Sequence, residues 1–124
     1  MARRLPPYSS GRREVRYEIA TGEQTIVHEL GYLQPVRLLE TGTDYVEHGT
    51  DVYSIVDGDP LSAMTESRRS VAISRGSWET RVATTSTLTS TEASFLVTNI
   101  LEAFEGGRRV FAKTWHSEHA RELV

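Results

Sequence analysis

The chain predicts an all-β fold, an antiparallel meander forming a curved sheet or a partly closed barrel. Three observations carry that prediction. Apolar and polar residues alternate with period two, as in Glu14-Val15-Arg16-Tyr17-Glu18-Ile19. Turn-forming residues separate such runs at short intervals, at Thr21-Gly22, Asp57-Gly58, Arg75-Gly76 and Gly106-Gly107. The long segments are rich in threonine and valine, whose branched Cβ suits a pleated strand better than a helix.

Residues 1–13 read as a flexible basic arm, with two prolines, Ser9-Ser10-Gly11 and no periodicity. Residues 14–124 read as one antiparallel β domain. Its first hairpin pairs the run from Glu14 with Ile26, His28, Leu30 and Tyr32 on one face. Pro35 cannot donate to a central ladder, so Val36 to Glu40 is expected as a short edge strand. Gly42 to Thr50 looks loop-like or weakly extended, Val52 to Val56 is a short strand, and Asp57-Gly58-Asp59-Pro60 closes it. Met64 to Ser74, Trp78 to Leu88, Phe95 to Phe104 and Val110 to Trp115 complete the meander. The segment from Thr91 to Phe104 also meets helical spacing through Phe95, Ile100, Leu101 and Phe104. The Gly106-Gly107 turn into a strand of matching length favours the hairpin.

A length of 124 residues fits one domain with a single core. No apolar run approaches the ~20 residues needed to cross a bilayer as a helix, and no membrane role is expected. The chain has no cysteine, which excludes disulfides and thiol chemistry and makes a cytoplasmic location the default. The net charge is −3, and four arginines precede Glu14, so the remainder is acidic. An acidic body does not suit a phosphate backbone, and no nucleic-acid partner is expected.

Chemistry-bearing motifs are absent: there is no nucleophile elbow, P-loop or dinucleotide fingerprint. His116 and His119 stand at a spacing that binds metal on a helix, but lacking a third ligand they read as a solvated tail, and no metal or cofactor is expected. His28 sits on the apolar face of its strand and reads as a core histidine before a base. Asp57-Gly58-Asp59 reads as a turn rather than half a calcium loop. No catalytic residue is assigned. Glu79 and Arg81 are expected as solvent-facing cross-strand charges. The aromatics Trp78, Phe95, Phe104, Phe111 and Trp115 are expected to form a core, or else to line a ligand pocket. In the pocket reading the ligand-binding residues are His28, Tyr53, Trp78, Phe95, Asn99 and Trp115.

Several segments carry a family resemblance. They are Tyr53-Ser54-Ile55, Gly58-Asp59-Pro60-Leu61-Ser62-Ala63, Arg75-Gly76-Ser77-Trp78-Glu79-Thr80-Arg81-Val82, Ala103-Phe104-Glu105-Gly106, and Val110-Phe111-Ala112-Lys113-Thr114-Trp115. Together with the ending Arg121-Glu122-Leu123-Val124, they resemble the β-rich C-terminal extension of long serine hydrolases of the cocaine-esterase and X-Pro dipeptidyl-peptidase-like family. The ending departs from that family's Pro-Arg-Asp-Leu at Ala120 and Glu122. The resemblance implies a scaffold rather than an activity, because the family's catalytic triad lies in a hydrolase domain that nothing in residues 14–124 matches.

Two functions are therefore expected. The first is a non-catalytic accessory or interaction domain, in its sharper form a small subunit paired with a separate hydrolase chain. The second is a small barrel that binds or rearranges an apolar molecule in its interior. A homo-oligomer through an edge strand such as Val36 to Glu40 is a third arrangement compatible with either.

Overall fold

The computed structural model describes residues 8–9, 11–32 and 35–122. Among these residues nine strands form one antiparallel sheet: β1 (Tyr8–Ser9), β2 (Arg13–Glu18), β3 (Glu23–Tyr32), β4 (Val36–Leu38), β5 (Thr43–Val56), β6 (Asp59–Arg75), β7 (Trp78–Ser90), β8 (Ser94–Glu105) and β9 (Arg108–Ala120). The sheet runs β1-β3-β5-β6-β7-β8-β9, with β2 also on β3 and β4 on β5. It stays open, since among the described residues β9 at one end and the short strands at the other do not pair. The barrel alternative thus gives way to an open sheet. Of the arm expected over residues 1–13, Tyr8–Ser9 pair with Gly31–Tyr32 and Arg13 opens β2; residues 1–7 and 10 lie outside the described residues.

The hairpin from β5 through β9 follows the predicted turns. Two-residue connections join Val56 to Asp59, Arg75 to Trp78 and Glu105 to Arg108. Gly106 turns the last of these with φ 59°, a left-handed conformation that a side chain disfavours. Thr91 to Phe104 is no helix, because β8 pairs with β7 on one side and β9 on the other. Two ladders satisfy its backbone where a helix would have to satisfy its own.

Three boundaries differ from the sequence expectation. Thr43 to Val56 is one strand rather than a loop and a short strand. Gly49 does not break it, because the side chains of Leu30 and Arg69 cross directly over its Cα; a Cβ there would stand 2.7 Å from Leu30 Cδ1. The strand after Asp57-Gly58 starts at Asp59 and carries Pro60 inside it. Proline removes a donor, and the ladder shifts register between Ser54 and Val56. Ser62 repairs the gap: its hydroxyl accepts the Val56 N–H at 2.8 Å and donates to the Asp59 carbonyl at 2.6 Å. Finally, His116 and His119 belong to β9 rather than to a tail.

The expected aromatic core does not form. Among the described residues the buried hydrophobics are Val27 and Val36, whereas Trp78, Phe111 and Trp115 are all more than two-fifths exposed. Among the described residues, contacts run between neighbouring strands and no second layer packs on the sheet. The chain exposes 9086 Å², against about 6,700 Å² for a compact monomer of 13.9 kDa.

Candidate interaction face

Residues opposite one another across a ladder share a face, and successive residues alternate. The registers therefore sort the whole sheet. One transverse row reads Arg13, His28, Asp51, Ser67, Ser86, Asn99, Trp115 from β2 to β9. The face that carries this row also carries most of the large exposed hydrophobics: Val15 and Tyr17 on β2, Ile26 on β3, Leu38 on β4, Tyr53 and Ile55 on β5, Ile73 on β6, Trp78, Val82 and Leu88 on β7, and Phe111 and Trp115 on β9. Val46, Leu96 and Ile100 are their counterparts on the other face.

The opposite face is laced with ion pairs: Arg16 with Glu14, Arg37 with Asp44, Arg68 with Glu66 and Arg109 with Glu102, and Arg12 with both Glu14 and Glu29. Arg81 also lies there, its guanidinium 4.1 Å from the centre of the Phe104 ring directly opposite it. Each exposed pair adds little stability. Their common placement marks this face as the one that meets water.

On the apolar face one cluster of polar groups forms around Asp51. Arg69 donates to both oxygens of Asp51, at 2.9 and 3.1 Å, and the Ser67 hydroxyl donates to the same carboxylate. Asp51 is mostly covered, with 13% of its side chain exposed. The Arg69 hydrogen bonds hold its carboxyl below the usual range, helped by Ser67 and by the positive field of Arg69 and His28, while partial burial opposes them. His28 stands opposite Asp51, and its Nε2 is buried without a hydrogen-bond partner. Further along the row, Ser86 donates to Asn99 Oδ1 at 2.6 Å.

All six residues expected to bind a ligand lie on this face, though not in one pocket. His28, Asn99 and Trp115 belong to the polar row, spread from β3 to β9. Tyr53 and Phe95 help line one groove of about 240 Å³, together with Ala63, Met64, Thr65 and Leu88. Trp78 stands at the far end of β7, beside the turn. Sequence reasoning missed Asp51, Ser67, Arg69 and Ser86. Each looks like an ordinary strand polar residue until the register places it beside the others.

His116 and His119 fall on opposite faces of β9, three residues apart in a period-two element, so they cannot share a metal. His116 Nδ1 lies 3.2 Å from the Thr98 hydroxyl and His119 Nε2 3.2 Å from that of Ser117. Among the described residues no cluster of three metal-ligating side chains occurs, and no helix is long and apolar enough to cross a membrane. Comparison with protein-family models, curated proteins and solved structures found no match.

Proposed function

We propose that this chain is a non-catalytic interaction domain whose apolar face packs on another protein. The observation that carries this reading is the division of the sheet into an ion-paired face and an apolar one that remains open. The surplus of roughly 2,400 Å² over a compact monomer points the same way, since a stable interface takes about 800 Å² from each partner. A large exposed apolar patch rimmed by polar residues marks a binding site. The Tyr53–Phe95 groove offers a seat for an inserted side chain, as aromatic-walled hot spots do.

The partner we propose is a serine hydrolase chain of the α/β class, for which the β domain would act as a cytoplasmic accessory subunit. The sequence resemblance supports that choice, and so does the lack of a nucleophile motif. Binding or rearrangement of an apolar small molecule is the competing reading; with the sheet open, it rests on open grooves such as the one at Tyr53 and Phe95.

The test is affinity capture of the tagged chain from its native lysate, alongside a Val82→Asp variant. Val82 sits mid-face on β7 and is 43% exposed, so the charge leaves the fold intact but blocks docking. A stoichiometric α/β-hydrolase chain retained by the wild type and lost from the variant is the expected result. Recovery of the chain alone, or with a bound small molecule, sinks the proposal.

A further inference from the structure

The two edges of the sheet are built differently. On one side the margin is broken into β1, β2 and β4, of two, six and three residues. Short pieces, turns and charged side chains are how proteins blunt an edge against pairing. The other margin is β9, with 13 residues, every one of them exposed. From Phe111 to Ala120 it follows β8 without a register shift. Among the described residues nothing pairs with its outer side. A long regular edge presents a row of unpaired N–H and C=O groups, a template for another strand.

We infer that β9 pairs with β9 of a second copy, antiparallel about a two-fold axis, joining two sheets into one. Symmetry limits the register, and side-chain pairing favours one choice. A two-fold normal to the sheet keeps like faces together, so one residue of β9 must oppose itself. Centring on Lys113 would set two ammonium groups against each other. Centring on Thr114 opposes the two threonines, a favourable cross-strand pair, and sets Lys113 of each copy against Trp115 of the other. The preference for that partner is already visible within one chain, where the Lys113 ammonium lies 5.0 Å from the Trp115 ring. Val110 faces the partner's Glu118 in this register, and no like-charged carboxylates meet. Because the opposite margin is blunted, pairing stops at two copies rather than running on into a filament. The contact touches the apolar face only at its β9 margin and leaves β2 to β8 free, so it stands or falls separately from the hydrolase proposal.

The chain has no cysteine, which makes disulfide trapping clean. In the Thr114 register the two Cα atoms stand about 4.5–5.5 Å apart, within disulfide reach. Thr114→Cys is expected to cross-link nearly completely under copper-catalysed air oxidation at micromolar concentration. A Ser77→Cys control, on the β6–β7 turn, should do so at least tenfold more slowly. The wild type should sediment as a dimer and Thr114→Lys as a monomer. Cross-linking at 114 no faster than at 77, or a wild type that sediments as a monomer at 100 μM, overturns the proposal; so does a Thr114→Lys variant that remains dimeric.

Discussion

At the scale of single residues, Asp51 makes the most consequential polar contacts on the apolar face. A carboxylate there would cost stability if its neighbours did not neutralise it. Arg69 supplies a bidentate partner and Ser67 a further donor. Replacing Arg69 by Met keeps the stem over Gly49 and removes the charge, and should cost about 1–2 kcal/mol in urea unfolding. The pH dependence follows from the lowered carboxyl. In the folded chain Asp51 ionises below the ordinary carboxylate value of about 3.9, so its contribution is complete above that value and disappears as pH falls through the folded one. The stability gap between wild type and Asp51→Asn should therefore hold constant from pH 7 to 5 and shrink below about pH 4. A gap that widened on acidification would contradict the assignment.

Neighbouring backbones approach closely at a few glycines, and Gly31 is the clearest case. It lies between Ser9 of β1 and His48 of β5, with φ 152°. A Cβ there would stand 2.5 Å from the Glu47 carbonyl oxygen, which is backbone and cannot move aside. Gly31→Ala should destabilise the chain by about 2 kcal/mol or more, measured as a lower urea midpoint, and should first loosen β1 and the start of β5. Amide hydrogen exchange would show that loss as faster exchange at Gly49 and Thr50 than at Leu101. At β6 the same accounting explains Pro60, where a side-chain hydroxyl stands in for a missing ladder bond. Elsewhere hairpin turns and β-branched composition suffice, and predicted strands overlap the observed ones with ends up to five residues apart.

The whole molecule differs from an ordinary domain of its length in one quantity, the surface it fails to bury. An unfolded chain of this mass exposes about 20,000 Å², so folding as a lone sheet buries roughly 11,000 Å² where a compact domain would bury about 13,500 Å². The urea m-value scales with that area. The isolated chain should accordingly show an m-value about one-fifth below that of a compact domain of equal length, and should bind a hydrophobic dye through its apolar face. Partner binding should suppress the dye signal. An m-value at or above the compact norm would mean that the sheet closes on itself in solution.

The all-β class, the hairpin turns and the strand identities were legible in the chain alone, because alternation and turn chemistry are local properties of consecutive residues. The registers place His28, Tyr53, Trp78, Phe95, Asn99 and Trp115, named from the sequence as ligand-binding residues in the pocket reading, on one face. Their separation along that face was not legible, since it depends on how strands align over long sequence distances. Neither was the polar cluster at Asp51, which brings together β5 and β6 residues 16 and 18 positions apart. The largest misreading concerned the aromatics, expected in a core and found on an open surface. Period-two patterning states which side of a strand is apolar; whether that side meets another layer of the same chain, a partner, or water is decided only when the sheet as a whole either closes or stays open.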